Sequence, residues 1–215
     1  MALRFFGARW VMLGIGTLAA AVAAMAGAAA PAHAALGISC PYPTSTPFKA
    51  FGDGTSYALA PGGDFESGAA GWTLTGGARV VTGNESFNVG GPGQTHSLLL
   101  PAGSSALSPP MCVSLFSGGM RSFTSNTGRA NSKLRVQVIY GGGAGALLGW
   151  LGATLGVSDV GTWTSTGAWQ PSSNLAMLGG MAPLLTSNVR FRFTPLDSTG
   201  NWRIDDVYLD PLMHR

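Results

Sequence analysis

Acid is scarce in this chain. Of its 215 residues nine are Asp or Glu, and five of the nine fall in two short clusters. One cluster is Gly63-Asp64-Phe65-Glu66-Ser67-Gly68, followed by Gly71-Trp72; the other is Trp202-Arg203-Ile204-Asp205-Asp206-Val207-Tyr208-Leu209-Asp210. On a regular strand from Trp202 to Leu209, Arg203, Asp205, Val207 and Leu209 share one face, and Trp202, Ile204, Asp206 and Tyr208 share the other. Whichever face is buried takes an aspartate with it. A buried carboxylate costs several kcal/mol unless a cation or several donors meet it. Two readings follow. Arg203 or another arginine is the partner, with Asp64 starting a turn and Glu66 solvated at a strand end; or Asp64, Glu66, Asp205 and Asp206 gather around a hard divalent cation. Ca²⁺ takes roughly six to eight oxygens, which carboxylates and turn carbonyls would supply.

Two further residue sets could act chemically. Tyr140, Trp150, Trp163 and Trp169 offer aromatic faces on which the apolar face of a sugar ring could stack; the competing reading places such residues in a β-sandwich core. Cys40 and Cys112 are the two cysteines. In an oxidising compartment they are expected to pair, closing a loop worth about 4 kcal/mol in the chain-entropy view. The alternative is a lipidated Cys40 in Gly37-Ile38-Ser39-Cys40, although that box lacks its usual leucine. The catalytic inventory is thin: two glutamates, no Gly-x-Ser-x-Gly elbow, and, after Ala34, His96 and His214 alone. A Glu66 and Glu85 acid pair is chemically conceivable, but Glu85 lies in the turn-like Gly83-Asn84-Glu85-Ser86. No enzyme is expected.

The elements that must position these residues read as strands. Leu134, Val136, Val138 and Tyr140 alternate with Lys133, Arg135 and Gln137, and Val189, Phe191 and Phe193 alternate with Arg190 and Arg192 before Pro195. Shorter β runs are expected over 71–75, 78–82, 97–100, 112–116, 120–124, 147–155, 162–169 and 201–209, separated by Gly- and Pro-rich turns. No stretch after Ala35 keeps helical spacing over three turns, although 172–187 could hold a short helix or packed loop. The glycine-rich 141–156 lacks the Lys-Ser/Thr pair of a phosphate loop and reads as a hairpin. Many short strands of fairly even spacing imply an all-β fold, a two-sheet sandwich or a barrel.

The string Asp64-Phe65-Glu66-Ser67-Gly68 with Gly71-Trp72, and the closing Ile204-Asp205-Asp206-Val207-Tyr208-Leu209, resemble the opening and closing motifs of jelly-roll carbohydrate-binding modules and their galactose-binding-like relatives. The resemblance spans roughly Pro61 to Asp210. It implies a two-sheet antiparallel jelly-roll sandwich in which Glu66 and Asp205, with Asp64 nearby, bind a structural Ca²⁺ joining the first and last strands. It also implies a separate sugar site on the concave face or in end loops, for which no motif is recognisable here.

Residues 1–34 have the form of a secretory signal: Arg4 and Arg9, an apolar stretch from Trp10 to Ala30, and Ala32-His33-Ala34 as cleavage site. An uncleaved anchor is the competing reading, since that stretch is long enough to span a bilayer. After removal, ten basic residues face nine acidic ones, a net charge of +1. The basic residues are spread from Lys49 to Arg215 without a run, so nucleic acid is excluded as a partner. The expected organisation is signal 1–34, an N-terminal arm 35–60, and a jelly-roll domain 61–215. The expected function is a secreted, non-catalytic carbohydrate-binding module with structural Ca²⁺, whose partner is a polysaccharide or cell-surface glycan and which has no membrane contact after signal cleavage. The alternative is a secreted structural or surface-interaction protein without a small ligand.

Overall fold

The computed structural model describes residues 42–113, 118–141, 157–177 and 187–210, all within one compact unit, Ala34–Arg215. The signal segment, Cys40, Trp150 and the hairpin expected within 142–156 lie outside the described residues. Among the described residues no helix is long and apolar enough to cross a membrane.

Among the described residues fourteen strands make two antiparallel sheets, joined by loops and one 3-10 turn. In chain order they are β1 (Thr44–Ser45), the turn Lys49–Phe51, β2 (Tyr57–Leu59), β3 (Thr73–Thr75), β4 (Arg79–Thr82), β5 (His96–Pro101), β6 (Ser105–Leu107), β7 (Met111–Val113), β8 (Gly119–Asn126), β9 (Leu134–Gly141), β10 (Val157–Trp163), β11 (Gln170–Pro171), β12 (Leu175–Ala176), β13 (Ser187–Pro195) and β14 (Asn201–Asp210). One sheet has the order β1-β2-β14-β5-β4, with β8 on the other side of β14 and β11 and β12 beyond β8. The second runs β10-β9-β13-β6-β3, with β7 also on β13. This is the all-β two-sheet sandwich that the resemblance implied, and not the barrel that the strand pattern also allowed.

The second sheet follows the period-2 rule closely. Leu134, Val136 and Val138 of β9 and Val189, Phe191 and Phe193 of β13 are buried against Leu98, Leu100, Trp202 and Ile204 of the first sheet. Alternation therefore leaves Arg135, Arg190 and Arg192 on the outer side.

In β14 the rule breaks, and the break matters. The pairing with β8 shifts register between Asp205 and Tyr208, and Asp206 sits in the left-handed region at φ 52, a conformation Asp tolerates better than most residues. This bulge inserts one residue and flips the faces beyond it. Trp202 and Ile204 point into the core, but so do Val207 and Leu209, whereas a regular strand puts these pairs on opposite faces. Asp205 and Asp206 are both fully buried, where regular alternation buries one.

The arm is also built in more deeply than expected. β2 pairs with β14, Leu59 opposite Tyr208, and Phe48 and Tyr57 pack with Phe123 and Tyr208 into a second buried cluster on the outer side of the first sheet. The segment expected as a strand over 162–169 is strand only as far as Trp163. In 172–187 the described part forms the short β12 rather than a helix.

Candidate functional site

Two features stand out: a buried acidic knot at the β14 bulge, and an open groove on the outer face of the six-stranded sheet.

The knot forms because β14 changes neighbours there. β5 pairs with it up to Ile204 and β2 takes over at Tyr208. The segment after β2 closes the gap: Ala60 N–H donates to the Val207 carbonyl at 2.8 Å and Val207 N–H to the Gly63 carbonyl at 3.0 Å. A Cβ on Gly63 would stand 3.0 Å from the Ala60 carbonyl oxygen and 3.1 Å from that of Val207, so glycine is what permits this approach. Asp64 and Glu66 are thereby carried to the bulge. On the other side the turn after β4 brings in Glu85, itself buried.

Asp205 is satisfied: its Oδ2 accepts from Glu85 N–H at 3.0 Å and its Oδ1 from Asp206 N–H at 2.9 Å. Glu85 is satisfied as well, accepting from Val89 N–H at 2.7 Å and from Phe87 N–H. Asp206 is not. Both of its carboxylate oxygens are buried without a hydrogen-bond partner, as are Gln94 Oε1 and Asn84 Oδ1. Burial, first, and then the charge of Glu85 push Asp206 up to about 7, with Asp64 and Glu66 adding smaller contributions; the Gln94 side chain, short of hydrogen-bond geometry, pulls the other way. Burial and the neighbouring Asp206 likewise raise Asp205.

Glu66 looks elsewhere. Its Oε1 accepts from Thr95 N–H at 2.8 Å and His96 N–H at 2.7 Å, and its Oε2 lies 3.2 Å from His96 Nδ1. Desolvation opposes ionisation, but the His96 and Thr95 N–H groups prevail and hold Glu66 below the usual carboxylate range. Among the described residues no three His, Cys, Asp or Glu side chains stand as a ready metal cage.

The arginine alternative for these aspartates is not what the structure uses. Arg203 donates to the Thr82 carbonyl at 2.9 Å, the Gly83 carbonyl at 2.6 Å and Ser97 Oγ at 2.6 Å. Asp205 is held by backbone N–H groups.

The groove, about 430 Å³, crosses β3, β6, β13 and β9 and includes Thr73, Thr75, Ser105, Arg192, Thr194 and Arg135. Register assembles it. Thr194 is opposite Arg135, Arg192 is opposite both Gln137 and Leu107, and Thr75 is opposite Ser105. Arg135 Nε, Arg190 Nε, Thr194 Oγ1 and Gln137 Oε1 have no hydrogen-bond partner. The ion pairs among the described residues are His96–Glu66 and Arg121–Asp53, so none involves these arginines.

The aromatic residues expected to stack on sugars are elsewhere. Trp163 is fully buried in the core, stacked at 5.8 Å on Phe193, with its indole N–H donating to the Ser173 carbonyl at 3.0 Å. It is opposite Leu134 in register, which turns it inward; the expectation of a binding role is corrected. Tyr140 is partly buried against the same core. Trp169 packs on the second cluster with the Arg203 guanidinium 5.4 Å from its ring. Cys112 lies on β7, its N–H donating to the Tyr42 hydroxyl at 2.9 Å, and its expected partner Cys40 is outside the described residues.

No family model matches the chain, and no curated protein matches it. Solved carbohydrate-binding modules are similar to it. One is a family 61 module in complex with β-1,4-galactotriose, 18% identical over 70% of this chain and 96% of that one, with a TM-score of 0.41. Another is a family 22 xylan-binding domain from Paenibacillus barcinonensis, 16% identical over 71% and 93%, with a TM-score of 0.46. A third similar structure is the cleaved adhesin domain of Lys-gingipain from Porphyromonas gingivalis, 12% identical over 68% and 94%, with a TM-score of 0.43.

Sequence reasoning placed Asp64, Glu66, Asp205 and Asp206 around one cation; Asp205 and Asp206 adjoin at the bulge, Glu66 is bonded to Thr95 and His96, and among the described residues no three of them form a metal cage. It missed Glu85, which lies 120 positions from Asp205, and the orphaned amide oxygens of Gln94 and Asn84. The available signal was a glutamate inside a turn-forming stretch, where a charged side chain has to find nearby donors. It missed the arginine face too, because arginines separated by more than fifty positions become neighbours only through strand pairing.

Proposed function

We propose that this chain is an exported, non-catalytic carbohydrate-binding module whose opening and closing segments are fastened by Ca²⁺. The observation that carries the binding reading is the groove. It is an open depression on a rigid sheet, lined by hydroxyls and by the Arg135 and Arg192 guanidinium groups; the Thr75 and Ser105 hydroxyls bond each other at 2.9 Å, while Arg135 Nε and Thr194 Oγ1 are buried without a partner. Hydroxyl-rich ligands are recognised by such convergent polar groups, and strands hold them more firmly in position than loops do.

The cation reading is supported by Asp206. A fully buried carboxylate with two unpartnered oxygens is costly, and an all-oxygen set is what a hard cation prefers. Asp206 would be the central ligand, with Asp64 and Gln94 Oε1 as the candidates beside it; Asp205 and Glu66, whose oxygens are already met by N–H groups, would brace the site. When bound, Ca²⁺ would supply positive charge that offsets the crowded carboxylates. Asp64 would tie the segment after β2 to the ion, and Asp206 would tie β14. Removal of residues 1–34 on export and a Cys40–Cys112 bridge belong to the same proposal.

The burial of Trp163 and the packing of Trp169 favour one second reading, a secreted structural or surface-interaction protein without a small ligand. A glycan array, with Ca²⁺ titration by calorimetry, separates them. Binding to at least one glycan class supports the module; a blank array that includes acidic and neutral polysaccharides selects the scaffold.

A further inference from the structure

The groove's chemistry is more specific than a general affinity for hydroxyls. Arg135 on β9 and Arg192 on β13 lie on the same outer face, one pair out of register, with Arg190 the next outward residue along β13. Diagonal neighbours of this kind stand about 7–8 Å apart. Arg192 is thus the diagonal neighbour of Arg135 and the alternate neighbour of Arg190 on one rigid surface, and no carboxylate pairs with any of the three among the described residues. Asp159, opposite Gln137 on β10, is the one acidic residue in register with this face. Like charges brought this close repel, and Nε of Arg135 and of Arg190 lacks any acceptor. None of the described groove residues is aromatic. What it presents is a set of forked donors flanked by the hydroxyls of Thr75, Ser105 and Thr194.

We infer that the groove binds a carboxylate-bearing glycan, a uronic-acid polysaccharide, with Arg135 and Arg192 holding sugar carboxylates and the Thr and Ser hydroxyls meeting ring hydroxyls. The planar guanidinium matches a planar carboxylate through two parallel hydrogen bonds, and a repeating acidic chain would offset the charge of the whole row. The inference rests on the carbohydrate-binding reading and narrows it to acidic ligands.

The test uses the full mature chain and calorimetry at about 0.15 M salt, with polygalacturonate as the probe. Its carboxyl-reduced form is the matched neutral polymer; dextran sulfate and single-stranded DNA are polyanions without uronic acid. Polygalacturonate is expected to bind at least about tenfold more tightly than each of the other three. Arg135→Gln and Arg192→Gln are each expected to weaken it about tenfold, with unchanged thermal melting as the check on folding. Arg192→Lys, which keeps the charge and loses the fork, is expected to recover only part of the affinity. Equal binding of the reduced polymer overturns the acidic specificity and leaves the carbohydrate reading standing. Equal binding of dextran sulfate or DNA overturns the uronate inference in favour of a general polyanion surface. Undiminished binding by the Arg135→Gln/Arg192→Gln double variant removes the groove from the interaction. No binding to any glycan in the set overturns the inference, and a blank across a full neutral array as well overturns the underlying reading.

Discussion

On the outer face of the eight-stranded sheet, β8 and β14 present Phe123 and Tyr208; on the outer face of the six-stranded sheet, β9 and β13 present Arg135, Arg190 and Arg192. The first face is covered. Phe48, from the segment between β1 and β2, stacks on Phe123 at 5.1 Å and meets Tyr57 edge-on at 5.1 Å. Arg121, on that side, shows what covering requires: it lies 4.2 Å from the Phe48 ring centroid, and its Nη1 is 2.6 Å from Asp53. Among the described residues the arginines of the other face have neither an aromatic lid nor an anion. Two sheets that share one core thus differ in how they treat cations, and the unpartnered side is where a ligand of opposite charge has something to gain.

Removing the cover gives the largest expected effect. Phe48→Ala takes a fully buried ring from the second cluster and leaves Arg121 without its aromatic contact. The expected cost is about 3–5 kcal/mol, the range for deleting a buried aromatic side chain, read by urea denaturation. A cost below about 1 kcal/mol would mean that the cluster is a loose surface layer, and the contrast between the two faces would lose its physical basis.

The two faces were unequally legible in the sequence. The open face was plain at the level of single strands, because β9 and β13 are covered on one side and obey strict alternation. The covered face was not: β8 and β14 are buried on both sides, so their pattern carries no face information, and Phe48 and Tyr57 sit in a Pro-containing polar stretch that reads as an arm. The bulge defeated the reading of β14 for a local reason. A single left-handed Asp206 reverses the phase of Val207 and Leu209, and nothing in the residue order announces it. The motif at Asp64 and Glu66 still indicated the neighbourhood of β14, since short-range turn chemistry and glycine at position 63 fix that approach. Glu85 could not be found this way, as its placement depends on where β4 and β5 pair.

The acidic knot lies on the outward side of β14, toward the covered face, and comes next in expected size. Asp206, raised to about 7, retains its proton in the ion-free folded protein at pH values where the unfolded chain, with an ordinary value of about 4, has lost it. The folded state then binds more protons, so in chelator stability falls as pH rises from about 4 to about 7. Ca²⁺ binds the deprotonated carboxylate, so its stabilisation grows over the same window and reaches about 2.7 kcal/mol at a hundredfold excess over Kd. Thermal melts in EDTA and in Ca²⁺ at pH 5 and pH 8 read this directly. Asp206→Asn should remove the Ca²⁺ response and shrink the pH slope, leaving the part that Asp205, also raised by burial, contributes. Melts that coincide at pH 8 with and without Ca²⁺ would leave the buried carboxylate without its proposed partner.

A smaller effect tests how the covered face neutralises its cation. Desolvation opposes ionisation of Asp53, but hydrogen bonds from Tyr57, Thr55 and Arg121 bring it down to about 2. A carboxyl lowered on folding stabilises fully above its unfolded value of about 4 and loses that contribution as pH falls through about 2. Arg121→Gln should weaken the acid limb on the order of 1 kcal/mol, since the pair is partly solvated. An acid limb unchanged by the substitution would assign the anchoring of Asp53 to Tyr57 and Thr55 alone.

The smallest expected effect is on the open face. Among the described residues Arg192 has no anion beside it, and its nearest charged neighbours on the sheet are cations, so no ion pair there ties it to the fold. Arg192→Gln should change stability by no more than about 0.5 kcal/mol, and the sign should be favourable at low ionic strength because one repulsive charge is gone. At 1 M salt, where screening acts over about 3 Å, that gain should vanish. Urea denaturation at both salt concentrations reads the difference. A loss above about 1 kcal/mol would make Arg192 a structural residue, and a face whose charges hold the fold together is not free to be given over to a ligand.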